Sequence, residues 1–183
     1  MSSKMSDSQC PSDNTRQDSL YSRDYDDLDP ASHWFALAKA YLDNSLYLFS
    51  GMREGSLNRS IYHAKAAAFL FEQSIELFLK AGIVQAGKEI PIHHDLEKLY
   101  QQFSNLYPGK RYEFRGSLQE AIHSDPNHPY PEFTRYPANR HGRLFNTPTH
   151  FSPDIWHEEL CLFSQDYDRI EPLLKERYPV GPR

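Results

Sequence analysis

At 183 residues the chain has room for one domain with tails, and 39% hydrophobic content is enough to bury a real core. Net charge is −5 and unevenly placed: seven acids against three bases leave residues 1–30 at −4, so the other 153 residues carry −1. That balance excludes a global electrostatic pull towards nucleic acid and restricts any such site to a local patch.

Met1 to about Asp29 is rich in Ser and Asp and nearly free of aliphatic residues, which reads as a disordered acidic tail over residues 1–30. Pro30-Ala31-Ser32 opens a first helix with Ser32 as the expected N-cap, and apolar residues from Trp34 to Phe49 recur at helical spacing up to Gly51. After a turn at 51–58 comes the strongest helix, Ser60 to Gly82. Ala64, Ala67, Ala68, Phe71, Ser74, Ile75, Phe78 and Leu79 form its continuous stripe, and Gly82 or Gly87 is expected to end it in the left-handed conformation. A third helix is read in the segment from His93 to Pro108, with Asp95 as cap and Leu96, Leu99, Tyr100 and Phe103 on its apolar face. A weaker fourth runs from about Arg111 to His123.

Five prolines within 124–152 rule out helix there and mark a long functional or irregular loop. Ser152-Pro153-Asp154 then supplies cap, first-turn proline and first-turn acid for a last helix, which Pro172 is expected to kink or split before a tail at 179–183. The pattern predicts an all-α, up-and-down bundle of four to five helices over residues 31–178.

Cys10 and Cys161 are the two cysteines, too few for a disulfide framework. The N-terminus has no apolar run of signal-peptide length, and no stretch approaches 18 apolar residues. The expectation is a soluble, cytoplasmic protein with no membrane partner.

The second and third helices together carry a signature: an Ala-rich helix with Glu72, Glu76, Leu79, Lys80 and Ala81, followed after a short turn by His94-Asp95-Leu96. Over these roughly 40 residues the chain resembles the HEPN family of small helical bundles. Read physically, Glu76 and Lys80 are an i,i+4 pair in the favourable order, worth about 0.3–0.5 kcal/mol on an exposed face. His94 either locks the turn beside Asp95 or contacts a ligand.

The resemblance implies a domain that binds or acts on RNA or a nucleotide, in a toxin or defence setting with a partner protein. Catalytic members resemble metal-independent ribonucleases that use an Arg and a His separated by four to six residues and assembled across a dimer. The His moves the proton of the RNA 2′-hydroxyl, and the Arg stabilises charge developing on phosphate. Arg135 and His141, and likewise Arg143 and His150, have that spacing. With 12 arginines in the chain, roughly two such matches arise by accident, so spacing alone does not select a site. Arg135 also departs from the family pattern, because Tyr136-Pro137 follows it and proline disfavours helix at the preceding position.

Arg135 and His141 are the catalytic candidates. Lys80, His94, Tyr136, Arg140 and Arg143 are the ligand-binding candidates, because basic residues interleaved with aromatics can hold phosphate and stack a base. The same cluster read blandly is a proline-fixed loop whose arginines pair with acidic helix faces. His123, Asp125 and His128 lack a rigid frame and a fourth ligand, so no metal and no cofactor is expected. The other reading of the whole chain is a non-catalytic helical module for homodimerisation or binding a partner protein.

Overall fold

In the computed structural model, residues 29–115 and 152–179 are described. Within them the chain forms four α-helices and one short 3₁₀ turn: α1 Pro30–Glu54, α2 Ile61–Gln85, α3 Leu96–Leu106, the turn Lys110–Tyr112, and α4 Pro153–Arg177. The acidic tail up to residue 28, the loop 124–151 and residues 180–183 lie outside this set.

The all-α bundle expected from the periodicity is what these residues build. The α1 and α2 helices are antiparallel, with the buried Ser45 hydroxyl donating to the Ala67 carbonyl at 2.8 Å. Ala64, Ala67 and Ala68 are buried, so the small-residue stretch of α2 is the face on which α1 makes its close approach. The α4 helix runs opposite to α1. Arg53 near the α1 C-terminus meets Asp154 at the start of α4, and the Lys175 ammonium near the α4 C-terminus lies over the ring of Phe35 near the start of α1. The core between these helices is largely aromatic. Phe78 stacks on Tyr167 at 4.0 Å between centroids, Phe71 meets Phe163 edge-on at 5.1 Å, and Phe114 stacks on Phe163 at 4.8 Å.

Several boundaries differ from the sequence expectation, each for a local reason. Asp29, not Ser32, caps α1: its carboxylate accepts from the Ser32 amide at 3.1 Å and the Ser32 hydroxyl at 2.6 Å. Pro30 needs no partner for its missing N–H in the first turn, so the cap falls one residue before it. The helix passes Gly51 and ends at Glu54.

The α2 helix likewise passes Gly82 and ends at Gln85. Gly87 (φ +72°) sits just beyond, where the Lys88 amide bonds the Ile83 carbonyl and the Gly87 amide bonds the Val84 carbonyl. This is the 6→1 and 5→2 pattern of a left-handed helix stop. Gly82 has a different role. A Cβ there would lie 2.6 Å from Phe103 Cε2, so the glycine lets α3 pack directly on the α2 backbone, where the Tyr107 hydroxyl also donates to the Gly82 carbonyl.

Pro172 does not split α4, which continues to Arg177. Ile170 and Leu174 on either side of it are fully buried, and that burial holds the helix through the missing hydrogen bond.

Candidate functional site

Among the described residues, two clusters of charged side chains are built into this apolar bundle. The first lies on α2, where Glu76 and Lys80 are both buried, with side chains only 6% and 5% exposed. The helical spacing places them one turn apart, and the ammonium of Lys80 lies 2.9 Å from Glu76 Oε1. That same oxygen is 2.7 Å from Nδ1 of His94, whose side chain is 61% exposed. A carboxylate only accepts, so Nδ1 carries a hydrogen and donates it, leaving Nε2 as the free nitrogen of the neutral ring.

Asp95 fixes the neighbouring backbone. It caps α3 by accepting from the Lys98 amide at 3.1 Å and pairs with the Lys98 ammonium at 2.9 Å. Those bonds, from the Lys98 side chain first and its amide second, hold the Asp95 carboxyl below its ordinary value. Beside it, both ring nitrogens of His93 are buried with no hydrogen-bond partner among the described residues. The surface pair imagined from the Glu-x-x-x-Lys spacing is therefore a desolvated ion pair. Its net contribution is small, but loss of one partner leaves an uncompensated buried charge.

The second centre is Asp166 on α4, with no exposed surface. Its carboxylate accepts from the Arg115 amide at 2.6 Å and Nε at 2.7 Å, and from Arg169 Nη2 at 2.9 Å. Arg169 also donates to the carbonyls of Arg111 and Glu113. These bonds explain why the expected fourth helix does not start at Arg111. The carbonyls and amide that a helix would use internally are taken by α4, and residues 113–115 are non-helical. Residues 116–123 of that expected helix lie outside the described set. Asp166 and Arg169 thus hold residues 111–115 on α4, and Ser152 caps α4 where the described residues resume.

A family model, HEPN domain, matches residues 31–124, just over half of the chain. The chain belongs to the HEPN family. No curated protein and no solved structure matches it. Membership suggests a nucleotide- or RNA-related function in general.

In this HEPN chain the predicted residues divide by location. Lys80 and His94 are brought together on one oxygen of Glu76, Lys80 inside and His94 at the surface. Arg135, Tyr136, Arg140, His141 and Arg143 lie outside the described residues. Sequence reasoning missed Glu76 as the shared acceptor and missed Asp166, Arg115 and Arg169 altogether. A hint existed for Asp166: it occupies the inward-facing stripe of α4, i+3 from Phe163 and i−4 from Ile170, where an unpaired carboxylate would be costly. No helix among the described residues is long and apolar enough to cross a membrane.

Proposed function

We propose that this HEPN domain binds RNA or a nucleotide through its phosphates and that the segment bearing Arg135, Arg140, His141 and Arg143 supplies the contacts. The observation that carries this reading concerns the chain leading into that segment: a fully buried aspartate and two arginines hold residues 111–115 to α4. Asp166 is buried while its partners Arg115 and Arg169 keep part of their side chains exposed, and a buried, paired carboxylate holding the lead-in to the arginine-bearing segment supports a recognition role over a passive linker. On this reading Arg135 and His141 are a metal-independent ribonuclease pair, with His141 moving the 2′-hydroxyl proton and Arg135 meeting the phosphate. HEPN domains often dimerise, and a homodimer acting in a toxin or defence system with a partner protein is the setting we assign.

The test is cleavage and binding of single-stranded RNA by wild type, Arg135→Ala and His141→Ala, with light scattering on the same samples. Loss of cleavage by about 10²-fold or more in both variants, with RNA binding weakened mainly by Arg135→Ala, is the expected result. Equal cleavage by all three removes these residues from the site. RNA binding without cleavage by the wild type leaves a non-catalytic binding module.

A further inference from the structure

His94 stands in an arrangement that a simple turn latch does not need. A latch requires one hydrogen bond, which an amide or hydroxyl side chain provides. Here the acceptor of Nδ1, at 2.7 Å, is a buried carboxylate, and a buried ammonium lies 2.9 Å from the same oxygen. Burying two charges is costly unless the geometry is good, so this pair defines the ring's orientation at the expense of stability. The orientation has a consequence for the other nitrogen. With Nδ1–H turned to Glu76, Nε2 is the atom of the 61% exposed side chain that can gain or lose a proton.

We propose that His94 is a proton-linked phosphate contact: Nε2 takes up a proton as the ligand arrives and donates it in a charge-assisted hydrogen bond to a phosphate oxygen. The charges around it favour this. Glu76 and Lys80 on α2 cancel, and Asp95 and Lys98 at the start of α3 form their own pair at 2.9 Å. His93 alongside has both ring nitrogens buried. Glu72, one turn before Glu76, is a further buried acid on α2, so a proton gained by His94 adds positive charge at the surface above a helix whose buried groups do not oppose it. No covalent bond is made or broken; the proton comes from solvent and remains on the ring. The ligand chemistry is a phosphate oxygen, from either a mononucleotide or an RNA backbone, and this assignment rests on the RNA or nucleotide reading above.

The experiment is isothermal titration calorimetry of the full chain with uridine 5′-monophosphate and, separately, a short oligouridylate lacking terminal phosphates. Each is run at pH 6 and pH 8 in two buffers of different ionisation enthalpy. The comparison variant is His94→Gln, whose amide can still donate to Glu76 but cannot take up a proton; its difference from wild type removes the ligand's own titration. Wild type is expected to take up a fraction of a proton per ligand bound, with affinity falling by up to about tenfold per pH unit as pH rises. His94→Gln is expected to bind about tenfold more weakly at pH 6 and to lose that extra uptake. Glu76→Gln combined with Lys80→Met, which removes both buried charges together, is expected to reduce proton uptake while leaving a folded chain by circular dichroism.

Binding by both wild type and His94→Gln with identical proton uptake overturns the His94 assignment and leaves the RNA or nucleotide reading standing. Failure of the wild type to bind either ligand overturns both. Binding of the monophosphate alone assigns the site to a nucleotide, and binding of the oligomer assigns it to the backbone phosphates.

Discussion

At the scale of single residues, the same side-chain type behaves differently according to what surrounds it. Glu76 is buried and shares one oxygen between Lys80 and His94, whereas Asp95, less than twenty residues away, is half-exposed and caps α3. Its hydrogen bonds from the Lys98 side chain and amide hold Asp95 below its ordinary value of 3.8. The sign of the pH effect follows. A carboxyl depressed in the folded state contributes stability that is complete above the unfolded value and is lost as pH falls through the folded one. Asp95→Ala is therefore expected to be less stable than wild type at neutral pH, and the gap between them should close below about pH 4. Thermal melts of both proteins from pH 2 to pH 7 read this directly; a gap that stays constant over that range would show that the cap acts without its charge.

At the scale of elements, the decisive contacts are those that set how closely two helices approach. Gly82 lies inside α2, and α3 rests on it through Phe103 and the Tyr107 hydroxyl. Gly82→Ala improves intrinsic helix propensity by about 1 kcal/mol. It also places a methyl 2.6 Å from Phe103 Cε2, an overpacking that costs about 1–3 kcal/mol. The expected outcome is net destabilisation in urea unfolding, partly recovered by combining it with Phe103→Leu. A net gain in stability would mean that α3 shifts freely on α2. Pro172 shows the opposite balance: an element-breaking residue is carried within α4 because buried Ile170 and Leu174 bracket it.

At the scale of the whole molecule, Asp166 ties together segments far apart in sequence. Through Arg115 and Arg169 it holds residues 111–115 on α4, and Phe114 from that stretch enters the aromatic core against Phe78 and Phe163. Asp166→Ala leaves two partly exposed arginines without their shared acceptor and is expected to cost about 1–3 kcal/mol. Asp166→Asn keeps the shape and one acceptor oxygen, so it should cost less. Limited proteolysis should cut Asp166→Ala near residues 111–115 well before wild type, while α1 and α2 stay protected. Equal cleavage rates in the two proteins would separate the clamp from the rooting of the segment. The HEPN family model matches residues 31–124, so α4, which holds residues 111–115 in place, lies beyond the matched stretch.

What the sequence determined by itself was local. The 3.6-residue periodicity placed all three long helices, and the caps Asp95 and Ser152 were legible because a capping side chain bonds an amide only two or three residues away. The Ala-rich helix followed by His94-Asp95-Leu96 carried the family, since both parts are contiguous in the chain. Tertiary structure decided the rest. It turned Glu76 and Lys80 from an apparent surface pair into a buried one, brought His94 to the same oxygen across 18 residues, and joined Arg115 to Asp166 across 51. It also let α1 run past Gly51 and α2 past Gly82 to the left-handed stop at Gly87, and replaced the start of the expected fourth helix with a segment tied to α4. The physical reason is common to these cases. Burial and long-range hydrogen bonding depend on which neighbour covers a side chain, and a one-dimensional pattern shows which face is apolar but not what lies against it.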